Sequence, residues 1–267
     1  MWRPLVAVGA ALAAWHLLAD KISGARLAEA WALAASAPAE ALLAAAALTA
    51  LSYAAVAGYD LVAFRAAGVA LSPGRTLRTG FTATAVGQAL GFGVATGGFA
   101  RWRMTRSAGV GPAAAAEATV SVAAGFFLGL ALVASIAALV WPETAARAFG
   151  GAASGALLFG GLGVCGFVAL LVLGASGGLR FGRWRLSTAP RRMAAQAALA
   201  ALDVLPAAAA LWIRLPAGTD VSFAALFVAY LAALTVGLLS NAPGGLGAFE
   251  ATLLLCLPET PAEAILA

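Results

Sequence analysis

Residues 112–140 read PAAAAEATVSVAAGFFLGLALVASIAALV, an apolar run broken only by Glu117 near its start. A helix needs ~20 apolar residues to cross the hydrocarbon core of a bilayer, and this one has length to spare. Similar runs lie on either side: Arg3–Ala19, Ala39–Phe64, Ala152–Leu173, Pro190–Ile213 and Val221–Ser240. The composition agrees. Of 267 residues 63% are hydrophobic, only 10% are charged, and the mean hydropathy is +0.96. A soluble domain has no means of hiding that much apolar surface. A transmembrane barrel would alternate apolar and polar residues in short segments, and these runs do not alternate. The chain is expected to be an all-α polytopic integral membrane protein, with about six to seven spanning helices plus re-entrant hairpins.

The stretch Thr79–Ala100 differs from the six runs. It contains Gln88 and glycines at 87, 91, 93, 97 and 98, and it leads into Arg101, Arg103 and Arg106. The basic residues test how it lies. If it spans, they divide 6 against 10 between the two sides. If it returns to the face it left, 12 gather on one side and 4 on the other. The positive-inside rule favours the second arrangement. Residues 79–100 are therefore expected to form a re-entrant hairpin, with the N-terminus cytoplasmic. Such backbone is tolerable only when buried in protein or lining a wet cavity. The start of the chain, Met1 to Lys21, reads as a signal anchor and not as a cleaved leader. Gly125 with Gly129, and Gly151 with Gly155, are small-xxx-small pairs suited to close helix packing.

Little here suggests a self-contained catalytic centre. There is one His, at position 16, which excludes a multi-His metal site, and Cys165 and Cys256 sit inside apolar runs. No P-loop, dinucleotide fingerprint or zinc spacing appears, so neither a metal nor a cofactor is expected. The chemistry rests on other segments. In Asn241-Ala242-Pro243-Gly244-Gly245-Leu246-Gly247-Ala248-Phe249-Glu250, Pro-Gly-Gly stops one helix and a second one begins. Backbone amides of Gly244, Gly245 and Gly247 at that start suit an anion, and broken helices build many transporter sites. Alternatively this is an interfacial turn, with Glu250 as a favourable N-terminal charge. Arg101-Trp102-Arg103 suits a phospholipid headgroup, since Arg is a bidentate phosphate ligand and Trp settles at headgroup level. It suits a positive-inside stop signal with an aromatic anchor equally.

Carboxylates inside a span are costly and call for a partner or a function. Asp203 lies mid-run and shares a helix face with Arg192 and Gln196, 11 and 7 residues back; it is expected to face a polar cavity. Asp60 shares a face with Tyr53 and lies close to Arg65, and Glu117 lies one turn into its run with Ser121 a turn further on. For these two a solvated or salt-bridged helix end is the plainer reading.

At these residues the chain resembles a known family. Gly58-Tyr59-Asp60 with Arg65 and Leu71-Ser72 come first, then Gly97-Gly98 before Arg101-Trp102-Arg103, then Ala108-Gly109-Val110. Leu202-Asp203 before Leu215-Pro216 follows, and Ala242 to Glu250 is similar to the most specific motif. The family is the lysylphosphatidylglycerol synthase transmembrane region, which includes the bifunctional synthase/flippase known as multiple peptide resistance factor. The similarity runs from about residue 50 to the end; Trp102 and Val204 stand where Tyr and Trp are expected. The resemblance implies a bacterial cytoplasmic-membrane domain that flips aminoacylated phosphatidylglycerol to the outer leaflet and so gives resistance to cationic antimicrobial peptides. Charge complementarity to such a lipid gives an expected site on Arg101, Trp102, Arg103, Gly244, Gly245, Gly247, Glu250, Asp203, Asp60 and Gln88. Arg101 and Arg103 would hold the lipid phosphate, and Asp203 and Glu250 would meet the cationic aminoacyl group. Partners beyond the bilayer and its lipid would be a synthase or a second copy, not nucleic acid. The alternatives are the membrane portion of a phosphatidylglycerol lysyltransferase, whose synthase activity resides in a separate domain, and a transporter of another anionic lipid. Residues 1–267 are expected to be one transmembrane domain, incomplete at its C-terminus, with re-entrant segments near 79–100 and 241–250.

Overall fold

The computed structural model describes residues 38–175, 180–181, 184–185, 189–216 and 218–266. The expected first span, Arg3–Ala19, and His16 lie outside them. Among the described residues five helices are long and apolar enough to cross a membrane: α1 (Ala39–Ala66), α4 (Pro112–Val140), α6 (Ala153–Ala175), α7 (Pro190–Trp212) and α8 (Phe223–Ser240). They follow five of the six apolar runs. Between α1 and α4 stand α2 (Pro73–Leu90) and α3 (Gly93–Thr105); the short α5 (Pro142–Ala148) follows α4, and α9 (Ala248–Cys256) and α10 (Ala262–Leu266) follow α8. Strands β1 (Arg180–Phe181) and β2 (Trp184–Arg185) form a two-residue antiparallel ladder between α6 and α7. The protein is a polytopic all-α membrane protein.

Local chemistry sets the helix boundaries. Pro73, Pro112, Pro142 and Pro190 each occupy the first turn of a helix, where the missing N–H costs nothing. Ser222 caps α8, its hydroxyl accepting from the Ala225 amide at 3.2 Å. Glu40 opens α1 and Arg65 closes it, each matched to the helix dipole.

Two helical hairpins complete the bundle. The first is α2–α3, and it is longer than its sequence suggests. Helix runs from Pro73 to Leu90 and again from Gly93 to Thr105, so Arg101 and Arg103 sit inside α3, not in a closing loop. Non-helical backbone is confined to Gly91 (φ 72°) and Phe92 (φ 50°) at the tip. The second hairpin is α8–α9, turning at Asn241 (φ 55°) and the 3-10 turn Pro243–Gly245. Phe92 and Asn241 are the only non-glycine residues of positive φ among those described.

Packing fixes how the hairpins face. Gly58 lies against Leu199 and Ser52 against Asp203, so α1 and α7 run antiparallel. Gly125 lies under the Gln196 side chain and Gly129 under Ala200, so α4 and α7 run alike. The first hairpin therefore opens where α1 ends and α4 and α7 begin. Trp212 and Phe223 make an edge-to-face contact at the far end of α7, and the Trp212 indole donates to the Val221 carbonyl at 2.9 Å. There Leu226, Ala229 and Ala233 of α8 bury against Leu253, Leu254 and Leu257. The second hairpin thus opens on the opposite face. Arg65, Arg75, Arg78, Arg106, Arg191 and Arg192 cluster at the first face, Arg147 and Arg214 at the second.

Of the two small-xxx-small pairs, Gly125/Gly129 packs as expected and Gly151/Gly155 does not. A side chain at Gly151 or Gly155 would meet open space. Instead α6 touches α4 through Gly160 and Gly163, which lie on Ser135 and Leu139. Overpacking one well-fitted contact costs about 1–3 kcal/mol. Gly129→Leu is accordingly expected to lower the thermal unfolding midpoint in detergent, while Gly155→Leu leaves it unchanged.

Candidate functional site

Asp60 and Arg101 meet in the interior, the first fully buried and the second 4% exposed. The guanidinium donates twice, Nε to Oδ1 at 2.8 Å and Nη2 to Oδ2 at 3.0 Å. Two glycines make room. Any side chain at Gly80 on α2 would come within 2.7 Å of Asp60 Oδ2, and one at Gly97 on α3 would come within 3.0 Å of the Ala83 carbonyl, beside the guanidinium. Within α3 the buried Thr105 hydroxyl donates to the Arg101 carbonyl at 2.8 Å. The pair thus clamps both arms of the first hairpin to α1. The phosphate role expected for Arg101 meets a guanidinium whose fork is already filled by a carboxylate. Asp60 pairs across 41 residues, not with its neighbour Arg65, which is exposed.

A second polar cluster centres on Asp203, midway along α7 and half-buried. Ser52 donates to its Oδ1 at 2.7 Å, joining α1 to α7. The hydroxyls of Tyr59 and Tyr230 both interact electrostatically with this carboxylate, and Tyr230 also with Tyr53. These are all three tyrosines of the chain. Tyr59 is 2% exposed, packs edge-on to Phe126, and its hydroxyl has no hydrogen-bond partner among the described residues. One turn beyond Asp203 comes Pro206, inside the helix. Proline has no N–H for the carbonyl four residues earlier, that of Leu202. On the same helix Gln196 reaches across to the Ser121 carbonyl at 3.0 Å, holding α7 to α4. Glu117 is exposed.

The third locus is where the hairpin tips touch. Gly91 lies so close to Asn241 that an added Cβ would stand 2.5 Å from its carbonyl oxygen, and the Pro243 nitrogen lies beyond. Gly245 in turn packs on Gly237 of α8. The amides expected to be bare are largely taken. Gly245 N–H donates to the Ala242 carbonyl at 2.9 Å, Leu246 N–H to Pro243 at 3.2 Å, and Gly247 N–H to Glu250 Oε2 at 2.7 Å. Glu250 therefore caps its own helix. Gln88, one turn before the first tip, is exposed. Trp102 is half-buried against the cluster of Phe64, Val110 and Ala115, with its ring 5.8 Å from Phe99, and Arg103 is exposed.

The ten residues singled out from the sequence thus fall into separate groups: a buried ion pair, a mid-span carboxylate, a hairpin tip, and the exposed or partly exposed Trp102, Arg103 and Gln88. Sequence reading missed Ser52 and the convergence of the tyrosines. The signal for Ser52 is slight, a lone hydroxyl in an alanine-rich helix. No family model matches the chain. It is similar to the uncharacterized protein slr0712 of Synechocystis sp., with 31% identity over 220 residues, 79% of this chain and 66% of that protein. The aligned region therefore spans just under two-thirds of the relative's length.

Removing one partner of a buried ion pair strands the other, at a cost of about 3–5 kcal/mol. Arg101→Ala is expected to cost that much in unfolding measurements. The double variant Asp60→Asn/Arg101→Gln should be closer to wild type than Arg101→Ala alone, and a double-mutant cycle would give the coupling.

Proposed function

We propose that this chain translocates a phospholipid between leaflets, with aminoacylated phosphatidylglycerol as its substrate. The observation that carries this reading is the pair of hairpins that open on opposite faces and touch at Gly91 and Asn241. Read as re-entrant segments, each stops within the bilayer, and the two halves can open in turn around one point. Broken helices facing each other near the midplane are a recurrent way to build such a site. The fold's order of motifs, from Gly58-Tyr59-Asp60 through Ala242 to Glu250, supports the lipid as cargo by its resemblance to the flippase family.

The residues divide the work by charge. At the basic face, cytoplasmic by the positive-inside rule, exposed Arg103 beside Trp102 receives the lipid phosphate. Arg101 serves by positioning: its bond to Asp60 holds the hairpin in register. The substrate's cationic aminoacyl group passes Asp203, which pairs with no cation among the described residues. Resistance to cationic peptides follows from a less negative outer surface.

The test is labelling of outer-leaflet amines with a membrane-impermeant reagent. Cells would express this chain beside a synthase that lacks its own flippase block, with total aminoacyl lipid matched to an empty-vector control. Exposed lysyl lipid should rise with the chain and fall back with Arg103→Ala. Equal labelling with and without an inserted chain would overturn the reading.

A further inference from the structure

The membrane interior contains two aspartates, treated in opposite ways. Asp60 has a guanidinium against it. Asp203 has none, yet lies in the middle of α7 among hydroxyl groups. A carboxylate at that depth needs a positive charge, either a proton or a metal cation, to be held there without strong penalty. Two further observations point to the same spot. Ser52 places its hydroxyl on Oδ1. The Tyr59 hydroxyl is buried and unpartnered, a rare state for a phenol in a packed interior. Together they offer oxygen ligands with one negative charge, the donor set that suits a hard monovalent cation.

We propose that Asp203, with Ser52 and Tyr59, is a binding site for a small monovalent cation, a proton or a sodium ion.

The surroundings leave few competitors. From α1 come Ser52, Tyr53 and Tyr59, while Asp60 is engaged by Arg101. From α8 comes Tyr230. On α4 the one ionisable residue is exposed Glu117, and on α6 it is exposed Cys165. On α7 itself Gln196 is occupied by Ser121, and Arg191 and Arg192 lie three turns away at the basic face. Glu250 on α9 is bonded to the Gly247 amide. With the carboxylate empty, Ser52 bridges α1 and α7. A cation at the carboxylate finds the same hydroxyl oxygen as a ligand, at the junction of the two helices. The ion site stands whether or not the cargo is the lipid proposed above, because it is measured with no cargo present.

The experiment uses the purified full chain in detergent. The thermal midpoint is followed as choline is replaced by sodium at pH 8, and separately as the pH falls from 8 to 5 in choline. A ligand that binds the folded state raises the midpoint. The wild type should respond to sodium, or to acid alone with an infrared band of a protonated carboxyl group. Sodium identifies a metal ion as the occupant, acid alone a proton. In either case the response should vanish in Asp203→Asn. Should that variant fail to fold, Ser52→Ala keeps the carboxylate and removes one ligand; its half-saturating sodium concentration, or its titration midpoint, should shift by about tenfold or one pH unit. A wild type that responds to neither ion overturns the proposal, as does a response retained in full by Asp203→Asn or unshifted in Ser52→Ala. A negative lipid-labelling result beside a positive ion response would sink the lipid reading and leave the ion site intact.

Discussion

The buried contact between Asp60 and Arg101 is the constraint on which the rest of this bundle depends. Moving either charge from water into the interior alone is prohibitive, and the pair is tolerable only because its two hydrogen bonds are near ideal. That demand reaches well beyond the two residues. Gly80 has to lack a side chain so that α2 can approach α1, and Gly97 so that α3 can approach α2, closely enough for the pair to form. The geometry therefore fixes both arms of the first hairpin, and through them the position of its tip. Since the tip rests on Asn241, the second hairpin inherits its placement from the same pair.

The two tips solve a shared problem. A helix that ends inside a protein leaves carbonyls and amides without partners. At Asn241 and the Pro243–Gly245 turn the solution is internal, with the turn bonding to itself and Glu250 closing the amide of Gly247. At Gly91 the solution is local as well, since the Thr96 hydroxyl donates to the Gly91 carbonyl at 2.9 Å. Both tips place a non-glycine residue in the left-handed region, which side chains adopt only at a cost. Satisfied turns can lie against each other without water between them, and the absence of a side chain at Gly91 sets how near they come.

Much of this was legible in the sequence, for a simple reason. The bilayer thickness converts apolar run length into span count, so α1, α4, α6, α7 and α8 were readable from composition along the chain. The rest depended on contacts between distant residues. Asp60 read as a helix-end charge beside Arg65, and Arg101 as part of a basic cluster with Arg103, because nothing local says that a hairpin folds back over 41 residues. Arg101 thereby passed for an anion ligand. The glycine pairs show the same limit. Small-xxx-small spacing recurs throughout an Ala- and Gly-rich chain, and only the neighbour decides which pair is used; on α6 it was Gly160 and Gly163. The amides at 245–247 looked bare because sequence does not show that a turn will consume its own donors.

Helix α6 has a mechanical consequence. Of its 23 residues only Gly160 is buried, while Leu157, Leu158, Phe159, Leu162, Val168, Val172 and Leu173 face outward. Lipid tails are as apolar as leucine, so no hydrophobic force presses this helix onto its neighbours. It fits closely along α4, at the two glycines over Ser135 and Leu139, and its Ala156 packs on Ala138 and Ala145. Short-range dispersion of that kind fades within an ångström of separation. Under load or in detergent the bundle therefore comes apart from this stave inward, and α1, α4 and α7, tied by Ser52 to Asp203 and Gln196 to Ser121, stay together after α6 has peeled away.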